Sequence, residues 1–212
     1  MARLVFWDVD TQRDFIQPEG KLYAPGAEKL IPNLRRISDY AHAHGIRVVA
    51  SADDHQPGHR ELSGDPDFKE TFPPHCMRGT LGQRKIPETL LHDPLVIEPE
   101  PMAPDELKRS VRAHAGDILF HKHRFDVFSN ANVEAVLEVL EPDEIVLYGV
   151  YLDICDRYAI EGLLERRPET RLRLVTDATQ PIDPERGRAL LESWRARGVE
   201  LITTDQALGG EE

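Results

Sequence analysis

Glu144-Ile145-Val146-Leu147-Tyr148-Gly149, followed by Val150-Tyr151-Leu152-Asp153-Ile154-Cys155, decides how the rest of this chain is read. The first half is a short apolar run, rich in β-branched residues, of the kind that forms a buried strand. Gly149 opens a turn. A helix is expected to start near Asp153, aligning Cys155, Ala159 and Leu163 on one face. A strand that passes through a tight turn into a helix is half of a parallel strand–helix–strand unit.

The same unit recurs on either side. Strands are expected at Arg3–Trp7, Ile46–Ala50, Asp117–Phe120, Leu172–Val175 and Val199–Ile202. Between them lie helical patterns. One carries Leu30, Ile31, Leu34, Ile37 and Ala41 and closes at Gly45. Others run from Pro104 to His114 and from near Asn130 through Val133, Val136, Leu137 and Leu140. A last one starts at the Asp183-Pro184 cap, runs through Trp194 and is closed by Gly198. This alternation predicts an α/β fold, a Rossmann-like arrangement with a mostly parallel central sheet flanked by helices on both faces. Sheets of that kind place their chemistry in the loops beyond the carboxyl ends of their strands.

The 212 residues suit one domain spanning 1–212, and 40% hydrophobic content is enough for a core. A net charge of −12 argues against nucleic acid or an anionic membrane as partner. No apolar run reaches the ~20 residues of a bilayer span, and Met1–Asp10 lacks the pattern of a signal peptide. With only two cysteines, Cys76 and Cys155, a disulfide framework is not expected and the cytoplasm is the default compartment. Dinucleotide, phosphate-loop and Gly-x-Ser-x-Gly signatures are missing, which disfavours nucleotide-cofactor enzymes and serine hydrolases.

Polar clusters sit at the expected strand ends. Cys155, at a helix start, is placed where exposed N–H groups favour a thiolate and could hold an oxyanion; a small buried apolar role is the alternative. Lys122 would be useful beside a buried anion, and otherwise reads as a surface lysine. Asp10 could be a base or the cap of a turn. Taken together the three supply a nucleophile, a cation and a base. Asp53 and His55 lie on one side of an extended segment, as two metal ligands would. His75 is the expected third, and His59 is a weaker candidate for an extra one.

These residues resemble the isochorismatase-like cysteine hydrolases, and within them the nicotinamidase branch. The resemblance runs in order through Asp10-Thr11-Gln12-Arg13-Asp14-Phe15, Asp53-Asp54-His55 with Pro57 and His59, and Phe72-Pro73-Pro74-His75-Cys76. It continues through Lys122 with Phe125-Asp126-Val127-Phe128-Ser129, and ends at Gly149 to Cys155. It implies a three-layer α/β sandwich and a catalytic triad of Asp10, Lys122 and Cys155. It implies a non-proline cis peptide before Tyr151, and an oxyanion hole from the backbone of Tyr151 and Cys155. It also implies a divalent metal on Asp53, His55 and His75, zinc first, with iron or manganese as alternatives. Phe15 and Phe72 are expected to pack on a substrate ring. The implied reaction is hydrolysis of a small amide, nicotinamide to nicotinate and ammonia, by a dimer or tetramer. Tyr151, Leu152, Asp54 and Phe72 depart from the family's usual residues and bear on substrate identity. The alternatives are another amide, carbamoyl or vinyl-ether substrate, a non-catalytic member, or a metal hydrolase in which Cys155 is structural.

Overall fold

The computed structural model describes residues 3–210. Seven strands form one sheet: β1 Leu4–Val9, β2 Arg47–Asp53, β3 Leu95–Ile97, β4 Ile118–Lys122, β5 Glu144–Val150, β6 Arg171–Gln180 and β7 Glu200–Ile202. Their order across the sheet is β3-β4-β2-β1-β5-β6-β7, and every neighbouring pair is parallel. Helices α1 Arg13–Ile16, α2 Ile31–Ala43, α3 Pro104–Ala113, α4 Val133–Leu140, α5 Cys155–Arg166, α6 Pro184–Ala196 and α7 Thr204–Ala207 cover it. The expected α/β sandwich is the fold observed.

Strand alternation builds two cores. Val5, Trp7 and Val9 of β1, with Ile145 and Leu147 of β5, face α3, α4, α5 and α6. Phe6, Val146, Tyr148 and Val150 face the other way, onto α1, α2 and α7. Adjacent side chains of a strand point to opposite faces, so one sheet serves both layers. Trp7, Phe6, Phe120 and Trp194 are fully buried and supply much of the apolar area.

Three elements were not legible in sequence. β3 is short and sits at the sheet edge with Val96 exposed, so it lacks a buried run. Helices α1 and α7 are single turns, too short for a periodic pattern. The strands also run further than their apolar runs predict: β2 reaches Asp53, β4 reaches Lys122 and β6 reaches Gln180. Asp53 and Lys122, at the ends of β2 and β4, are buried, and Gln180, at the end of β6, is half-buried.

Chain order reverses about β1, since β2 lies on one side of it and β5 on the other. The crevice at the carboxyl ends of β1 and β5 is therefore the topological switch point. Gly149 makes this close approach possible. It has φ +131°, and a Cβ there would lie 2.0 Å from the Val9 carbonyl oxygen. Gly149→Ala is expected to cost about 3 kcal/mol or more, because both the backbone conformation and the space exclude a side chain. Urea denaturation of the variant measures that loss.

Candidate active site

Asp10, Lys122 and Cys155 meet at the switch point. The register pairs Asp53 of β2 directly with Lys122 of β4, so both side chains leave the sheet on the same side. Val9 pairs with Ser51, which brings Asp10 alongside, in a left-handed conformation at φ +49°. The Ser51 hydroxyl donates to Asp10 Oδ1 at 2.6 Å. Lys122 Nζ lies 2.8 Å from Asp10 Oδ2 and 3.7 Å from Cys155 Sγ, and it also donates to Asp53 Oδ1. Asp10 Oδ2 is an ion-pair partner but accepts no aligned hydrogen bond, which leaves it free to accept another proton.

Burial alone would pull the Lys122 pKa down; Asp10 and Asp53 reverse this and hold it well above the lysine range, so it is a cation. Burial pushes the Cys155 thiol up, against the pull of Lys122, and Asp10 and Asp53 add to the rise. The resting sulfur is therefore a thiol. The helix-start position favours a thiolate, but burial together with two carboxylates outweighs the pull of the ammonium.

The Gly149–Cys155 turn contains the expected cis peptide, between Val150 and Tyr151. The Ile154 and Asp156 N–H groups both donate to the Tyr151 carbonyl, so the turn closes on itself just ahead of α5.

A second cluster adjoins the first. Asp53 places Oδ1 on Lys122 and aims Oδ2 at two imidazoles, His55 Nε2 at 3.7 Å and His75 Nε2 at 3.4 Å. The fourth member is Glu61, whose Oε1 lies 3.7 Å from His55 Nε2 and 3.6 Å from His75 Nε2. All four residues are buried, and their ligand atoms lie within 4.8 Å of one another. Sequence reading missed Glu61 and offered His59 instead. In the structure His59 stands behind His55, with the two Nδ1 atoms 3.4 Å apart, and takes no place in the cluster. The long β2–β3 loop folds Glu61 inward through backbone bonds. The Phe72 N–H donates to the Glu61 carbonyl at 2.7 Å, while the His55 N–H donates to the Cys76 carbonyl at 3.1 Å. The signal present in sequence was only an acid in a loop already rich in ligand types.

The cluster suits a cation. His55 Nε2, His75 Nε2 and Glu61 Oε2 are buried with no hydrogen-bond partner. His75 donates Nδ1–H to the Pro73 carbonyl at 2.8 Å, which leaves the Nε2 lone pair facing the cluster. Burial and the neighbouring Asp53 push Glu61 up to about 9, the mark of an acid lacking a positive partner. Charge counting agrees. Three buried carboxylates, Asp10, Asp53 and Glu61, face one ammonium, and a divalent cation would bring the sum to zero.

Beside both clusters lies a narrow, mainly apolar pocket, walled in part by Phe15, Phe72, Phe125, Tyr151 and Ile154. Cys155 and three members of the second cluster, Asp53, Glu61 and His75, also line it. Phe15 and Phe72, the two rings expected to pack on a substrate, both line it. The Tyr151 ring stands edge-on to Phe15 at 5.3 Å, and its hydroxyl donates to the Leu22 carbonyl. Asp54 does not line the pocket, contrary to expectation. It follows Asp53 on the opposite face, where Arg78 Nε holds its two oxygens at 2.9 and 2.8 Å. Alternation of side chains along an extended segment is the reason.

An isochorismatase domain model matches residues 4–206. The chain belongs to the isochorismatase family. Nicotinamidases are prominent among its relatives. The nicotinamidase/pyrazinamidase of Mycobacterium tuberculosis is 28% identical over 206 residues, covering 92% of this chain and 95% of that protein. A zinc complex of Pyrococcus horikoshii pyrazinamidase superposes with a TM-score of 0.72 at 21% identity, over 95% of this chain and 99% of that one. The N-carbamoylsarcosine amidase of Thermoplasma acidophilum gives 0.69 at 26% identity, over 95% and 96%. This isochorismatase-family chain is thus a hydrolase of the amide-cleaving kind. Among the described residues no helix is long and apolar enough to cross a membrane.

Proposed function

We propose that the protein is a metal-containing cysteine amidohydrolase that converts nicotinamide and water to nicotinate and ammonia. One observation carries this reading: a pocket lined by aromatic rings is bordered both by the Cys155 sulfur and by Asp53, Glu61 and His75 of the candidate cation cluster.

Asp10 Oδ2 takes the Cys155 proton as the sulfur attacks the carboxamide carbon. Lys122, held by both carboxylates, offsets the negative charge of the sulfur and of Asp10. The backbone N–H groups of Tyr151 and Cys155 stabilise the oxyanion. Asp10 returns its proton to the departing ammonia, leaving a thioester. It then accepts a proton from the water that cleaves the thioester, and Cys155 leaves as a thiol once more. Phe15 and Phe72 sandwich the ring and exclude water from the carbonyl.

Asp53, His55, Glu61 and His75 would hold the cation. When bound, it would supply an anchor for the ring nitrogen and so orient the carboxamide toward Cys155. Two imidazoles and two carboxylates suit zinc, with iron and manganese also compatible with that donor set.

The test is ammonia release from nicotinamide, with and without metal restored after chelation. Turnover is expected in the loaded protein, with KM rising at least about tenfold on metal removal and on Glu61→Gln. Hydrolysis of N-carbamoyl amino acids but not nicotinamide would transfer the reading to a carbamoyl substrate, which the similarity to N-carbamoylsarcosine amidase favours. The proposal includes a cytoplasmic homo-oligomer, dimer or tetramer. Two free, buried cysteines suit a reducing compartment, and light scattering reads the assembly.

A further inference from the structure

Asp156 follows the nucleophile in the first turn of α5 and is fully buried. Its Oδ2 accepts the Thr179 hydroxyl of β6, while its Oδ1 has no hydrogen-bond partner. Its backbone N–H donates to the Tyr151 carbonyl at 3.1 Å, so the residue is built into the turn that presents Cys155. It takes no part in the mechanism above.

The charges bearing on this carboxyl are Asp10 and Asp8 of the β1 end and Asp153 of the turn, all acidic. The cation of the site, Lys122, is engaged by Asp10 and Asp53. Arg157, next along α5, lies 4.7 Å over the Tyr158 ring. The charge count of the site closes at three carboxylates, one ammonium and a divalent cation. A fourth carboxylate beside Cys155 would leave an unbalanced negative charge where thiolate and oxyanion must form.

We propose that Asp156 is a positioning residue working as a neutral acid: uncharged, it braces the nucleophile turn against Thr179, and its ionisation in alkaline solution shuts the site down. Burial holds its pKa up to about 8; the Thr179 hydrogen bond pulls it down, and Asp10, Asp153 and Asp8 push it further up. The sign follows. A carboxyl whose folded pKa is raised gives stability that is fully present below its unfolded value and is lost as pH rises through about 8.

This inference rests on the cysteine amidase reading for its activity arm only. The metal-loaded protein is compared with Asp156→Asn and Thr179→Val from about pH 6 to about pH 10. Three quantities are read: the thermal midpoint, the rate of Cys155 carbamidomethylation by iodoacetamide followed by peptide mass, and kcat/KM for nicotinamide. Asp156→Asn mimics the neutral acid. It should match the parent within about threefold near pH 7 and label about tenfold faster than the parent above pH 8. It should also lack the parent's alkaline fall in thermal midpoint. Thr179→Val removes a bond that favours the ionised form, so its alkaline limb should move to higher pH. The proposal is overturned if melting and labelling in Asp156→Asn follow the parent's pH dependence. A loss of more than about a hundredfold at neutral pH in a folded Asp156→Asn would also overturn it. If that variant does not fold, an unmoved alkaline limb in Thr179→Val decides against it. Melting and labelling need no substrate, so inactivity toward nicotinamide counts against the amidase reading alone.

Discussion

Replacing Cys155 by alanine is expected to remove turnover by at least about 10³-fold, and in the limit wholly, while the protein still folds. The sulfur lines the pocket with Lys122 Nζ 3.7 Å away, and in the proposed mechanism it forms the covalent bond to the substrate carbon. Its deletion leaves the ion pairs Lys122–Asp10 and Lys122–Asp53 in place. The thermal midpoint should therefore move little, and the metal content should stay at the parent's value. Near-parental ammonia release from the variant would hand the chemistry to the cation cluster and make Cys155 structural.

Lys122→Met is expected to damage both folding and activity. The lysine has no solvent exposure, and its ammonium joins two carboxylates that are themselves buried. Removing a buried ion-pair partner leaves uncompensated charge, at a cost of about 3–5 kcal/mol. Chain length and packing volume are nearly kept in methionine, so the loss reports on charge rather than on a cavity. Because the two stranded acids become neutral in acid, the deficit measured by urea denaturation should shrink as pH falls. A deficit that does not change with pH would mean that Asp10 and Asp53 do not depend on this cation.

How much of the site could be read in advance depends on what each residue does locally. Asp10 and Lys122 follow apolar runs and Cys155 follows the turn beyond a third, and such positions in one parallel sheet point to one crevice. Asp53 and His55 share a side of an extended segment, which the period of two makes visible. Glu61 has no such mark. Its place depends on the hydrogen bond from Phe72 to its own carbonyl, across a loop whose path no local pattern describes. The same limit applies to Asp54. It reads as a pocket residue by adjacency to Asp53, yet the pleat sends it to Arg78. Cys155 shows a third limit. Its helix-start position argued for a thiolate, but desolvation is a property of the surrounding fold, and here it prevails.

From residues in order, then, came the alternating strands and helices, the two-sided sheet, the three candidate catalytic groups and three of the four side chains of the candidate cation cluster. These follow from hydrophobic period and from residue type, which are local. Register, burial and loop path decided the rest: the pairing of Asp53 with Lys122, the entry of Glu61 in place of His59, and the proton state of the sulfur. Each of those depends on atoms remote along the chain being brought within a few ångströms and cut off from water, and only the folded structure does that.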